Sequence, residues 1–176
     1  MNDFRIEPMA GRHIDAVRAI DAQCYSRPWS AGMWRDELAS ADRNHVIGRI
    51  GHRLVAHAGS LLVVDELHIT TVAVDPDHEG HGYASRLCVE LLRAGRAAGA
   101  TAATLEVRAG ARRTQRLYAR LGFAPAGIRA GYYRDPDDDA VVMWLHDLDG
   151  SDAVARIDRV AAELHTDTPT DEGALR

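Results

Sequence analysis

Residues 67–85 read LHITTVAVDPDHEGHGYAS, and the predicted fold is built around this segment. The apolar residues of Leu67–Val74 predict a strand, which ends at Asp75 because Pro76 has no N–H to donate to a neighbouring strand. A turn with two glycines follows, and from residue 84 onward the apolar side chains recur at helical spacing. The sequence therefore predicts a strand, a tight turn and a helix that ends at Gly99.

The glycine turn, Gly80-His-Gly-Tyr-Ala84, has the chemistry of an anion site. Its glycines can direct main-chain N–H groups inward, and the following helix adds its first amides and the positive end of its dipole. The most economical ligand is a diphosphate. The alternative, that the glycines only make a tight connection, stays open at this point. The dinucleotide fingerprint is excluded for want of a third glycine, and the P-loop for want of a lysine.

The composition indicates one globular domain of an ordinary kind. The chain has 176 residues and a mass of 19.2 kDa, with 46% hydrophobic and 27% charged residues. A net charge of -5 argues against a basic nucleic-acid binder. The chain contains no lysine, which excludes lysine Schiff-base chemistry.

The two cysteines, Cys24 and Cys88, lie far apart, so neither a disulfide framework nor a cysteine-rich zinc site is expected. Each continues an apolar stripe, and we expect both to be core residues in a reducing, cytoplasmic protein. The first residues lack the pattern of a signal peptide, and no run approaches the roughly 18–20 apolar residues of a membrane span. No histidine pair has metal-ligand spacing on a helix face, so no metal site is predicted.

Several motifs, taken in order and at their spacing, resemble those of the GNAT superfamily of N-acetyltransferases. Within it, they are most similar to the branch that acetylates the N-terminal alanine of a small-subunit ribosomal protein (RimI-type). The motifs are Tyr25-Ser-Arg-Pro-Trp-Ser30, Val72-Ala-Val-Asp-Pro-Asp77, Gly80-His-Gly-Tyr-Ala84, Leu105-Glu-Val-Arg108, Leu117-Tyr-Ala-Arg-Leu-Gly-Phe123 and Arg129-Ala-Gly-Tyr-Tyr133.

The resemblance implies an α/β fold for residues 1–148, a single GNAT-like domain whose mixed, mostly antiparallel sheet is flanked by helices on both faces. Residues 149–176 then form a C-terminal extension. There the spacing of Ile157, Val160 and Leu164 is typical of a short amphipathic helix, and a polar, disordered tail is expected after it.

The resemblance also implies a site for acetyl-CoA as co-substrate, a general base and a general acid. The base would be Glu106 and the acid Tyr118. The strand backbone offered to the pantetheine amides would be that of Val72, Ala73 and Val74. The main-chain groups holding the pyrophosphate would be those of Gly80, His81, Gly82, Tyr83, Ala84 and Ser85.

The chemistry fits that division of roles. An α-amino group has a pKa of about 7.7–8.0, so at neutral pH a base must remove its proton before the nitrogen can attack the acetyl carbonyl. The departing thiolate needs a proton, which a tyrosine hydroxyl can supply. From local pattern alone, however, Glu106 is an ordinary carboxylate paired with an arginine, and Tyr118 is a core aromatic.

The acceptor implied by the resemblance is the free N-terminal amine of a protein, most specifically the N-terminal alanine of a ribosomal protein. Nucleic acid and membrane are not expected as partners. Two alternatives stay open: acetylation of a small amine by the same fold, and a non-catalytic acyl-CoA-binding module. The Tyr25–Trp29 and Tyr132–Tyr133 segments would be substrate-side loops by resemblance, or aromatic packing against the sheet edge.

Two positions depart from the family pattern. Glu79 stands where the family has arginine or glutamine, and Ala111 stands where it has a cofactor-contacting asparagine. A carboxylate beside a diphosphate is unfavourable unless it points to solvent or pairs with an arginine such as Arg86. Arg112 and Arg113 are candidates for replacement charge, and we expect weaker acetyl-CoA binding than is usual in the family.

Overall fold

Seven strands and five helices follow one another in the computed structural model, which describes residues 3–166. The tail expected after the C-terminal helix lies outside these residues from 167 onward. In chain order the elements are β1 (Phe4–Pro8), α1 (Ile14–Cys24), α2 (Ala31–Ala39), β2 (Arg43–Ile50), β3 (Arg53–Val63), β4 (Glu66–Val74), α3 (Tyr83–Ala97), β5 (Ala102–Arg108), α4 (Arg112–Leu121), β6 (Ala124–Tyr133), β7 (Asp138–Leu145) and α5 (Ser151–Thr166).

The strands form one sheet in the order β1-β2-β3-β4-β5-β7-β6. Every neighbouring pair is antiparallel except β4 and β5, which are parallel and are connected through α3. Helices α1 and α2 pack against one face of the sheet, and α3 and α5 pack in the hydrophobic core on the other face. The predicted fold class, a mixed and mostly antiparallel sheet with helices on both faces, is confirmed.

The two central strands, β4 and β5, separate after a short paired segment. Pairing between β4 and β5 covers only residues 66–68 of β4 and 102–104 of β5. Immediately afterwards β4 bulges against β3: Gly59 lies opposite Thr71 and Ser60 opposite Ile69, which leaves Thr70 as the extra residue. The bulge bends β4 away from β5, and the backbone beyond it has no strand partner on that side.

Helix α3 is the centre of the larger core. Leu87, Leu91 and Leu92 are fully buried on its sheet-facing stripe, as the spacing predicts. Close approach of the helix to β4 requires Gly95, because a Cβ there would lie 2.6 Å from a methyl carbon of Leu67. This packing fixes the direction in which α3 leaves the glycine turn.

The C-terminal helix α5 is an integral part of this core. Ile157 and Val160 are buried at 3% and 2% exposure beside α3 and α4. Ion pairs flank them, including Arg93 with Asp158 at 2.7 Å. Within residues 3–166, no helix is long and apolar enough to cross a membrane.

We expect Ile157→Ala to lower the free energy of unfolding by about 2–5 kcal/mol, because it leaves a cavity under α5. Arg159→Ala, on the exposed face of the same helix, is the control and should change it by less than about 0.5 kcal/mol. Urea unfolding measures both. Equal, small effects would contradict a structural role for α5.

Candidate active site

The separation of β4 and β5 opens a cleft of about 650 Å³. Residues 69–72 of β4 and 105–108 of β5 line its two strand walls, and the start of α4 adds Ala111 and Thr114. Tyr25–Trp29 and Tyr132–Tyr133, which the resemblance implies are substrate-side loops, both contribute lining residues. A pocket of this size at a break in the sheet is the natural candidate for the active site.

Glu106 lies on β5 and faces the cleft, with 31% of its side chain exposed. Its carboxylate pairs with Arg129 of β6, with an N–O distance of 3.1 Å. Its backbone carbonyl accepts a hydrogen bond of 3.2 Å from the Tyr133 hydroxyl. Glu106 is therefore both a cleft residue and the partner of a cross-strand arginine, so an incoming cationic amine must compete with Arg129 for it.

Tyr118 reaches the same cleft from α4 and is only 6% exposed. Its ring packs edge-on against Phe123. Burial raises the pKa of the Tyr118 hydroxyl well above its usual value, and the neighbouring Cys88, Tyr25 and Tyr133 raise it further. The hydroxyl thus keeps its proton at physiological pH and can donate it to a developing anion.

Beyond the bulge, successive residues of β4 direct their backbone N–H and C=O groups alternately towards β3 and towards the open side of the strand. The N–H of Asp75 donates to Val55 of β3 at 2.8 Å, and Ala73 lies opposite His57. Because backbone groups alternate in direction along a strand, those of Ala73 also face β3, and those of Val72 and Val74 face the open side. Of the three residues predicted to bind pantetheine, Val72 and Val74 therefore direct their backbone groups to the open edge of the strand.

Side chains at the end of α1 already contact that edge. The Tyr25 hydroxyl donates to the Val72 carbonyl at 3.0 Å, and the Cys24 thiol donates to the Val74 carbonyl at 3.3 Å. Burial raises the pKa of Tyr25 to about 12, so this donor stays protonated. The expectation that Cys24 is a core residue is wrong: it is solvent-exposed at the cleft, whereas Cys88 is buried. The amides of Val72 and Val74 are the groups left for a ligand.

A buried polar network beneath the cleft was missed in the sequence. The Asp21 carboxylate accepts from His57 Nε2 at 2.7 Å and from Trp34 Nε1 at 2.9 Å, with all three residues at most 3% exposed. It connects α1 and α2 to β3 and so fixes the segment that carries Tyr25. The available signal was an acidic residue on the apolar stripe of α1, four positions after Val17.

The glycine turn has the predicted backbone. Gly80 and Gly82 adopt φ values of +84° and +75°, a region that other residues rarely enter. The His81 ring donates from Nδ1 to the carbonyl of Glu79 at 2.9 Å, which tightens the turn. Tyr83 is buried and stacks on Phe4 at 4.1 Å, anchoring the start of α3 to β1.

The first amides of α3, including those of Ala84 and Ser85, have no acceptor within the helix. They and the rest of the turn lie outside the lining of the cleft that holds Glu106 and Tyr118. An extended ligand must therefore run along β4 to reach both the glycine turn and the cleft. Glu79 is exposed and does not pair with Arg86, whose guanidinium instead donates to the Phe4 carbonyl at 3.1 Å.

No group of three histidine, cysteine or acidic side chains within residues 3–166 is arranged to hold a metal ion. What the cleft does offer is a carboxylate, a protonated phenol and an unpaired strand edge. At the far end of that strand lies the glycine turn, which has the backbone predicted for an anion site. These are the parts of an acyltransferase that works on a thioester with a long phosphorylated carrier.

Comparison with known proteins agrees with that class. Residues 14–123, well over half of the chain, match the Acetyltransferase (GNAT) family, and the chain belongs to this family. Its members transfer acetyl groups from acetyl-CoA, so acetyl-CoA is the co-substrate and the chain is an N-acetyltransferase.

Individual relatives lie in one branch of the family. The chain is 35% identical over 137 residues to N-alpha-acetyltransferase RimI of Mycobacterium tuberculosis, covering 73% of this chain and 85% of the relative. It is 31% identical over 134 residues to the [ribosomal protein bS18]-alanine N-acetyltransferase of Escherichia coli, covering 75% and 90%. A crystal structure of the ribosomal-protein-S18-alanine N-acetyltransferase from Escherichia coli superposes with a TM-score of 0.75 at 27% identity, over 82% of this chain and 94% of that one.

The buried network gives a stability test. Asp21→Ala leaves the His57 and Trp34 N–H groups without an acceptor, and we expect it to lower the free energy of unfolding by about 3–5 kcal/mol. Asp15→Ala, in the first turn of the same helix and 97% exposed, should change it by less than about 0.5 kcal/mol. Thermal or urea unfolding compares the two. If the variants were equally stable, the network would have no structural role.

Proposed function

We propose that this protein transfers the acetyl group of acetyl-CoA to the free α-amino group at the N-terminus of a protein. The N-terminal alanine of a ribosomal protein is the acceptor we favour, because the relatives named above carry that activity in their names. The observation that carries the mechanism is that Glu106 and Tyr118 open onto the same cleft as the free edge of β4.

The reaction moves three protons, because the α-ammonium group loses two and the departing thiolate gains one. The carboxylate of Glu106, directly or through a water molecule, takes a proton from the α-ammonium group of the acceptor. The neutral nitrogen then attacks the thioester carbonyl. The nitrogen of the tetrahedral intermediate releases its second proton to water, and the intermediate collapses with cleavage of the C–S bond. The Tyr118 hydroxyl gives its proton to the departing thiolate, which yields CoA and an N-acetylated terminus. No covalent acyl-enzyme is needed.

The approach of the acceptor is set by the surroundings of Glu106. Tyr25, Trp29 and Tyr132 line the same cleft and provide flat, amphipathic surfaces for the first residues of an extended chain. The α-ammonium group competes with the guanidinium of Arg129, which is 57% exposed, for the Glu106 carboxylate. We place the reaction in the cytoplasm, where the thiols of Cys24 and Cys88 stay reduced.

Removing either proton-transfer group tests the assignment. We expect Glu106→Gln and Tyr118→Phe each to lower kcat by about 10²–10⁴-fold, because each removes a proton transfer while keeping the side-chain shape. Turnover is followed by thiol release from acetyl-CoA, with peptides that differ at their first two residues and with small amines as acceptors. Glu90→Gln, on the exposed face of α3, is the matched control and should keep its activity.

The outcomes separate the alternatives. Unchanged turnover in both variants would remove the two assigned roles. Turnover with small amines but with no peptide would replace the acceptor class, and acetyl-CoA binding without CoA release for any amine would indicate a non-catalytic module.

The raised pKa of Tyr118 makes a second prediction, on pH dependence. Activity should rise as the acceptor amine loses its proton near pH 8 and should then hold to at least about pH 10, because the buried phenol stays protonated over that range. A loss of activity between pH 8 and 9.5 that is absent in Tyr118→Phe would show that the phenol ionises there, and would contradict its role as the acid.

A further inference from the structure

Arg113 on α4 lies beside the glycine turn, although the two are more than thirty residues apart in sequence. Its Nη2 atom is 3.6 Å from the position that a Cβ would occupy on Gly80. Arg113 is exposed, and it forms no ion pair with a carboxylate of residues 3–166. A guanidinium held against a turn whose amides favour an anion, without a carboxylate of its own, is placed to bind that anion.

Two helices begin near this point without a side-chain cap. The N-cap of α3 is Gly82 and that of α4 is Ala111, and neither residue has a side chain that can accept from the first amides. The first amides of α3 have no side-chain acceptor at the cap, while the first amide of α4, that of Arg112, donates to the Gly110 carbonyl at 2.9 Å. Both helix dipoles direct positive potential outward. Arg113, in the first turn of α4, extends to Gly80, two residues before the N-cap of α3.

The turn itself carries a negatively charged side chain, which repels an anion. Glu79 precedes Gly80, is exposed, and forms no ion pair with Arg86. Even pointing to solvent, this carboxylate lowers the positive potential at Gly80, and a nearby cation offsets it. Arg113 is that cation, and its planar guanidinium suits two phosphate oxygens at once.

We propose that Arg113 binds the diphosphate of acetyl-CoA and supplies from α4 the positive charge that the turn lacks at Glu79. The inference rests on the use of acetyl-CoA at the glycine turn, as in the function proposed above. It assigns a cofactor-binding role to a residue outside the turn, and it explains how the chain retains its donor despite an acidic residue there.

Three acetyl donors distinguish the phosphate involved: acetyl-CoA, acetyl-dephospho-CoA without the 3′-phosphate, and acetylpantetheine without any phosphate. For Arg113→Ala we expect Kd to rise roughly 10- to 100-fold, by the same factor for acetyl-CoA and acetyl-dephospho-CoA, because both carry the diphosphate. The Kd for acetylpantetheine should not change. Isothermal titration measures the first two, and competition against acetyl-CoA measures the third.

Three further variants make the test specific. Arg116→Ala, also exposed and three residues further along α4, should leave every Kd unchanged. Arg113→Lys should recover part of the affinity, since it keeps the charge without the planar pair of donors. Adding Glu79→Arg to Arg113→Ala should restore acetyl-CoA binding by returning positive charge to the turn.

Several results would overturn the inference. A loss confined to acetyl-CoA would assign Arg113 to the 3′-phosphate, and an equal loss for acetylpantetheine would show an indirect effect on the cleft. An unchanged Kd for all three donors would remove the role altogether. Failure of the unaltered protein to bind acetyl-CoA would reject the use of this cofactor itself, and the inference with it.

Discussion

The separation of β4 from β5 is the feature on which the rest of the site depends. The pair holds together for three residues, and then the bulge at Thr70 turns β4 aside. The backbone of Val72 and Val74 is left facing an opening instead of a neighbouring strand. Glu106 lies on the opposite wall, so the same break exposes the strand edge for a donor and the carboxylate for an acceptor. Because α3 is packed tightly against the sheet, the glycine turn is held at the far end of that edge.

Much of this arrangement is encoded locally, and could therefore be predicted from the sequence. Asp75-Pro76 ends a strand, and Gly80 and Gly82 need positive φ values. The spacing of the apolar residues in α3 is enough to predict its buried face. Residues 14–123 also carry enough of the family's motifs to identify Glu106 and Tyr118 as candidates. These features depend on neighbours in sequence or on a pattern of residue types, and both can be read without a structure.

The remainder depends on contacts between distant segments. The bulge at Thr70 arises from the register of β4 against β3, which no local pattern specifies. Cys24 looks like a core residue because it extends the stripe of α1, yet α1 ends at the cleft, where the thiol finds the Val74 carbonyl. Arg129 is an ordinary arginine in sequence, and Arg113 is one of two candidates, with Arg112, for charge near the cofactor phosphates. Only the fold brings Arg129 to the carboxylate of Glu106 and Arg113 to the glycine turn.

Amide hydrogen exchange along β4, measured with and without saturating acetyl-CoA, reports whether the open edge of this strand binds the donor. The amide of Ala73 faces β3 and should exchange slowly in both states. The amides of Val72 and Val74 should exchange quickly in the free protein and at least about tenfold more slowly once acetyl-CoA is bound. If saturating acetyl-CoA left the exchange of both amides unchanged, the strand edge would not be the donor site and the account would be wrong.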